Sequence, residues 1–420
     1  MALLDVARWA LAGMPPAQWR GGNQVTLLTG GDELFPALCD AIDAARTEVW
    51  LATYIFLDDP AGERVAGALA RAARRGVAVY VVVDGFGTKG SMESVREWLV
   101  PAGVKLEVFR PLDRWWTWLQ PGQLRRLHKK LCAVDGRLGF VGGINIIDDR
   151  HDMNHGWTET PRLDYAVSLE GPLAADVQAA TRAVWARAHL GQSWRDELGT
   201  LKGQRGAVKD TVQWLRQWRP RRRAPVDPQP MKAALLVRDN VRQRRAIERS
   251  YVEAIDRAKQ RVDIAVPYFY PGRLFRRALR KAASRGVQVR LLLQGKVDYR
   301  IAAMAARALY DELHGRGVRI YEYTPAFLHA KVAVVDDDWA TVGSSNIDPL
   351  SLLLNLEANV MVRDAGFAAS LTRALDLAFA VSAEVQGRPV QAGWRGLLQR
   401  GLVAWAANLY LRLAGITGRY

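Results

Sequence analysis

Two stretches of this 420-residue chain carry the same motif. Residues 127–145 read LHKKLCAVDGRLGFVGGIN and residues 328–346 read LHAKVAVVDDDWATVGSSN. Each contains H-x-K-x(4)-D, as His128, Lys130 and Asp135 in the first copy and His329, Lys331 and Asp336 in the second. Each then reaches a glycine and an asparagine at the same interval, Gly142 and Asn145 or Gly343 and Asn346. A His two residues from a Lys arises easily by chance. Two copies with the glycine and asparagine in register do not, so the chain must build the same local structure twice.

Each copy reads as a β-hairpin. Residues 131–134 and 332–335 are short, apolar and partly β-branched, as buried strands are. Asp135-Gly136 is a turn signal, and residues 336–338 form a polar break in the same place. Second strands follow at 138–141 and 339–342. Side chains on an extended segment alternate faces, so His128 and Lys130 point one way together, as do His329 and Lys331. The glycines after the second strand permit close approach of backbone to a ligand or to another strand.

The repetition extends beyond the motif. RAARRGVAVYVVVDG at 71–85 matches KAASRGVQVRLLLQG at 281–295, and AGVKLEVFRP at 102–111 matches RGVRIYEYTP at 316–325. A period of about 200 residues is far too long for a solenoid and means a duplicated domain. Within the first copy the pattern predicts strands at 24–28, 49–56 and 77–83, with helices at 32–45 and 61–75. Strands alternating with helices imply an α/β layer structure with a mainly parallel sheet. The expected divisions are 1–22, an amphipathic segment ended by Pro15-Pro16; 23–190, the first domain; 191–230, a basic linker with Trp and Pro; 231–385, the second domain; and 386–420, an amphipathic tail.

The residue types point to phosphodiester chemistry. Lysines place charge on phosphoryl oxygens, asparagine amides add directed donors, and such preset groups stabilise charge that builds in a transition state. An imidazole near neutral pH serves as nucleophile when neutral and as acid when protonated. Lysine and arginine number 59 against 43 acids, a net charge of +16, which favours an anionic partner, either nucleic acid or an acidic membrane surface. Fifteen tryptophans shift the balance toward lipid, because Trp favours membrane interfaces. Trp115, Trp116 and Trp118 lie just ahead of Arg125, Arg126 and His128, and Trp194, Trp214 and Trp218 are interleaved with basic residues of the linker. The tail places Trp394, Leu398, Leu402, Trp405 and Leu409 on one helical face, as an interfacial helix does. No run of about eighteen uncharged apolar residues exists, so no spanning helix is predicted. Cys39 and Cys132 form no disulfide framework or zinc cluster.

The paired motifs resemble those of the phospholipase D superfamily. YIFLDDPAGERVAGALARAARRGVAVYVVVDGFG before the first motif, GGIN after it, and GSSNIDPLSLLLNLEANV after the second narrow the resemblance to the bacterial cardiolipin synthases, most of all their B type, over residues 22–380. That resemblance implies two mixed sheets flanked by helices, related by a pseudo-two-fold axis with one active site between them. It implies a catalytic set of His128, Lys130, Asp135, His329, Lys331 and Asp336, with the two aspartates at hairpin turns as anchors. Asn145, Asn346 and Ser344 are expected to bind substrate phosphate, and Asp164 and Glu357 to hydrogen-bond and orient the histidines. The implied reaction transfers a phosphatidyl group between two phosphatidylglycerol molecules, yielding cardiolipin and glycerol through a phosphohistidine. His128 is assigned as nucleophile and His329 as acid and base, roles the sequence alone does not separate. The two lysines supply the positive charge, so no metal or other cofactor is expected. The expected partners are phospholipid substrates and an anionic membrane surface, not nucleic acid, with the protein peripheral on the cytoplasmic side of the cell membrane. Nothing in the sequence specifies an oligomeric state. The alternative within the superfamily is a nuclease or other phosphodiesterase.

Overall fold

The computed structural model describes residues 17–111, 125–189, 231–238, 243, 245–296, 309–310, 312–348 and 355–386. The amphipathic start up to residue 16, the Trp115, Trp116 and Trp118 segment, the linker and the tail from residue 387 lie outside the described residues.

The first half runs β1 (Gln24–Thr29), α1 (Gly30–Asp43), β2 (Glu48–Thr53), α2 (Pro60–Arg74), β3 (Ala78–Asp84), α3 (Met92–Leu99) and β4 (Lys105–Phe109). The motif hairpin β5 (Leu131–Val134) and β6 (Leu138–Gly142) follows, then a small hairpin β7 (His151–Asp152) and β8 (Gly156–Trp157), then β9 (Tyr165–Glu170) and α4 (Pro172–His189). The second half runs β10 (Lys232–Arg238), α5 (Ala246–Arg257), β11 (Arg261–Ala265), α6 (Arg273–Ser284), β12 (Gln288–Gln294) and β13 (Val318–Tyr323). It continues with β14 (Val332–Val335), β15 (Trp339–Gly343), β16 (Glu357–Arg363), α7 (Ala365–Ala380) and a short β17 (Ala383–Glu384).

The two sheets have the same topology. The first is ordered β1-β9-β6-β5-β2-β3-β4 and the second β10-β16-β15-β14-β11-β12-β13-β17, so each first-half strand has a counterpart and β17 is an added edge. Both motif hairpins close where the sequence places them, with Val134 opposite Leu138 and Val335 opposite Trp339. The expectation of a mainly parallel sheet needs correction. Only β2-β3-β4 and β11-β12-β13 are parallel, the strands joined by helical crossovers; the motif hairpins insert antiparallel strands beside them. Local sequence explains the helix ends. Asp59 accepts from Gly62 N at 2.9 Å ahead of Pro60 at the start of α2, and Asp364 accepts from Phe367 N at 2.8 Å at the start of α7.

One apolar core joins the halves. It takes Trp50, Leu131 and Val167 from the first sheet, Leu235, Val332 and Val360 from the second, and Val177, Val184, Leu371 and Leu375 from α4 and α7. Those two helices therefore form a central layer, each packed on its own sheet and reaching a strand of the opposite one, α4 at β10 and α7 at β1. Helix α4 is buried nearly all round, as its apolar residues on every side require. Separate outer cores lie under α1 and α2 and under α5 and α6. Each Leu or Val removed from water in these layers contributes about 1.5–3 kcal/mol, which makes the seam between the halves as well founded as the interior of either.

Candidate active site

Each motif histidine sits one residue past a bridge to the opposite half. Leu127 pairs with Leu356 and Leu328 with Leu163, both in parallel sense. His128 N donates to Leu356 O at 3.0 Å, and His329 N donates to Leu163 O at 2.8 Å. The backbone preceding each histidine is thus tied to the residue preceding the opposite half's acid. The side chains cross accordingly. His128 Nδ1 lies 3.1 Å from Glu357 Oε2, and His329 Nδ1 lies 2.5 Å from Asp164 Oδ2. A carboxylate at Nδ1 holds that nitrogen as the donor and leaves Nε2 bare in the neutral ring, so both imidazoles keep a free nitrogen for chemistry.

The lysines complete the set. Lys130 Nζ donates to His128 O at 2.8 Å, and Lys331 Nζ donates to His329 O. Both side chains are buried. The Tyr54 ring lies 5.1 Å from the His128 ring and 5.4 Å from Lys130 Nζ. Burial dominates the titration of the cluster. Desolvation brings Lys130 down to about 7 and Lys331 to about 8, each opposed by Glu357 and Asp164. Desolvation also lowers both histidines, His329 strongly; Glu357 opposes the shift at His128. Asp164 is pushed up to about 6 by the same burial, against the pull of Lys331. The field of Lys331 reaches His128, and those of Lys130 and His128 reach His329, so the groups of the two halves act as one site.

Asn145 and Asn346 are buried at matching positions. Asn145 Oδ1 accepts from Ile55 N at 3.2 Å, which leaves its amide hydrogens to donate. Asn346 Oδ1 accepts no hydrogen bond from the described residues.

Ser344 and the two motif aspartates hold the framework around the reacting groups. The Ser344 hydroxyl, expected to bind substrate phosphate, is engaged inside the protein. It donates to Glu357 Oε2 at 2.5 Å and accepts from Ala358 N at 3.0 Å, fully buried, and so holds the acid that holds His128. Its counterpart Gly143 has no room for a side chain, because a Cβ there would stand 2.3 Å from Asp164 Oδ1. Asp135 and Asp336 stand outside the reacting groups. Asp135, at a φ of 52°, accepts from the backbone N of Arg46, Thr47 and Glu48 at 2.8–2.9 Å. Asp336, at 50°, accepts from Lys259, Gln260 and Arg261 N. Both tie the hairpin turn to the start of the neighbouring strand, at the edge of the sheet away from the histidines.

Asp84 is the functional residue that motif reading missed. Fully buried at the end of β3, it accepts from Leu127 N at 2.8 Å and lies 3.6 Å from Arg126. Gln294 does the same for Leu328 N at 2.8 Å. The signal was present in the matched VVVDG and LLLQG stretches, where both residues end a strand.

Comparisons with known proteins agree with this architecture. Residues 38–157 and 251–377 each match the family described as cardiolipin synthase, phospholipase D-like domain. Cardiolipin synthase B of Escherichia coli K12 is 39% identical over 351 residues, covering 83% of this chain and 78% of the relative. Cardiolipin synthase A of Pseudomonas putida is 32% identical over 379 residues, covering 88% and 71%. Among solved structures, phosphatidylserine synthase of Haemophilus influenzae superposes with a TM-score of 0.65 at 13% identity, over 92% of this chain and 94% of that one, a likeness of fold. Two domain matches, one within each half, and relatives aligned across both, lead to one assignment: the chain belongs to the cardiolipin synthase family of phospholipase D-like proteins.

Proposed function

We propose that the protein is a phosphatidyltransferase that makes cardiolipin and glycerol from two molecules of phosphatidylglycerol. The crossed histidine–acid pairs carry this reading, because they set two imidazoles, each with Nε2 free, beside two buried lysines. His128 Nε2 attacks the phosphorus of the donor lipid. The bond from phosphorus to the glycerol oxygen breaks, and His329 gives that oxygen its proton. The phosphatidyl group is then carried on His128. The acceptor's hydroxyl loses its proton to His329 and attacks the same phosphorus, which frees His128. Lys130 and Lys331 face the charge on the phosphoryl oxygens, and Asn145 and Asn346 add amide donors. Transfer must outrun hydrolysis, so the acceptor has to reach the intermediate before water does.

The site's burial and the net charge of +16 fit a peripheral enzyme held at an anionic membrane surface on the cytoplasmic side. No helix among the described residues is long and apolar enough to cross a membrane. The same reading takes 23–190 and 231–385 as the two domains, with 191–230 as linker. The test is incubation of the purified protein with labelled phosphatidylglycerol and separation of the lipids. Cardiolipin and free glycerol should appear together, and acid quench should trap phosphate on His128. Phosphatidic acid alone, or cleavage of single-stranded DNA with no dimeric lipid, would leave only a superfamily phosphodiesterase.

A further inference from the structure

The sheet strands of the two halves correspond, but the segments that follow the two site asparagines differ in length. Eighteen residues, 146–163, separate Asn145 from Asp164, whereas ten, 347–356, separate Asn346 from Glu357. The first half uses its longer segment to form the β7–β8 hairpin.

The hairpin is firmly braced. Asp148 N donates to Asp59 Oδ2 at 2.8 Å, and Thr158 N donates to Arg150 O at 2.7 Å. The Arg162 guanidinium donates to His151 O at 2.7 Å, and Asp152 accepts from Asn154 N and His155 N at 2.9 and 3.0 Å. Despite this bracing, its two largest apolar side chains face solvent: Met153 is 54% exposed and Trp157 59%. The Trp157 ring is held stacked on His151 with centroids 4.8 Å apart. A braced hairpin that presents a Trp and a Met to solvent is suited to an apolar contact, and Trp favours the membrane interface.

Its position is equally specific. Thr160 Oγ1 donates to Pro325 O at 2.9 Å, the His155 ring lies 5.0 Å from Phe327, and Leu163 N donates to Phe327 O at 2.9 Å. These contacts fall on the segment between β13 and His329, so the hairpin forms a lip of the site on that side. We propose that the β7–β8 hairpin is the apolar contact by which the enzyme enters the bilayer holding its lipid substrate, Met153 and Trp157 settling between headgroups and acyl chains. This rests on the lipid-substrate reading above. A lipid whose phosphate reaches the histidines still has its acyl chains running out past the lip, so groups there meet the bilayer. Asp148, Asp149, Asp152 and Glu159 outnumber Arg150 and Arg162 in the segment. The contact is therefore apolar rather than Coulombic, since these acids repel the phosphates of anionic headgroups and of nucleic acid alike.

Met153→Cys in the full chain, labelled with an environment-sensitive fluorophore, tests the placement, since Cys39 and Cys132 are both buried. On phosphatidylglycerol vesicles its emission should move to the blue and be quenched by chain-brominated lipid. The same label at Val100→Cys, an exposed position beyond α3 at the opposite edge of the first sheet, should stay unchanged. The double variant Met153→Ser/Trp157→Ser should lose about tenfold in cardiolipin formation on vesicles, and keep turnover of monomeric short-chain phosphatidylglycerol within about twofold. It should also lose the part of vesicle binding that survives high salt. No blue shift at 153, equal shifts at 153 and 100, a double variant equal to wild type on vesicles, or equal losses on both substrates each overturns the hairpin's role while wild type still makes cardiolipin. Wild type that makes none from either substrate overturns the lipid reading itself.

Discussion

Lys130 and Lys331 illustrate how much a site gains and risks by burying its charges. Phosphoryl oxygens feel an unscreened ammonium strongly, but desolvation brings the two lysines to about 7 and about 8. Both lose their protons as pH climbs through that range, so kcat/KM should fall on the alkaline side beginning near neutrality. Asp164 works in the other direction. Held up at about 6, it takes a proton as pH falls through that value and no longer supports a charged His329. The expected kcat/KM profile is a bell, with an acid limb from protonation of Asp164 at about 6 and an alkaline limb from loss of the lysine protons and of the proton that burial makes His329 reluctant to hold. A flat profile from mildly acidic to alkaline pH, measured on a soluble short-chain substrate, would contradict the coupling of these groups to catalysis.

The motif hairpins hold their geometry through the aspartates at their turns. Asp135 sits at a φ of 52°, a conformation that Asp and Asn tolerate better than Ala. Burial raises its pKa, but hydrogen bonds from the Thr47 hydroxyl and from Glu48, Arg46 and Thr47 N outweigh that and hold it below the ordinary carboxylate value. Its contribution is therefore fully present above the unfolded pKa and is lost as pH falls through the lower folded value. Asp135→Ala should cost about 1–3 kcal/mol at neutral pH, toward the lower end because water shares the site, and Asp135→Asn less. Urea midpoints check this, with the loss shrinking in acid. Turnover per folded molecule should stay near wild type, because the hairpin turn touches no reacting group. A fully folded Asp135→Ala protein without activity would restore this aspartate to the catalytic set.

At the scale of the whole molecule, duplication has produced one site from two halves, not two sites. Each histidine relies on an acid from the other half, and the fields of the two lysines cross the seam. His128→Ala and His329→Ala should each abolish cardiolipin formation while leaving the thermal transition and circular dichroism of the fold in place. Near-normal activity in either variant would mean that the halves work separately. The shared core around α4 and α7 also predicts that both variants unfold in a single transition, since neither half keeps its inner apolar face covered alone.

Short-range patterns determined much of this protein. Strand alternation and turn residues act over a handful of positions, so both hairpins and the order of helices and strands were legible from residues such as Val134 and Gly136. The histidines, lysines and asparagines were legible as a set because the motif occurs twice. Pairings across long separations were decided only by the tertiary structure. His128 meets Glu357 across 229 positions and His329 meets Asp164 across 165, and no local rule states that these partnerships cross. The packing of two sheets onto a common pair of helices brings those strand ends together. The same packing ties Ser344 to Glu357, makes Asp84 a support for Leu127, and ties Thr160 of the segment after the β7–β8 hairpin to Pro325, ahead of His329. Sequence specifies what each of these side chains can do. Which partner it meets depends on the burial of apolar surface between the halves, a property of the whole chain that no single stretch contains.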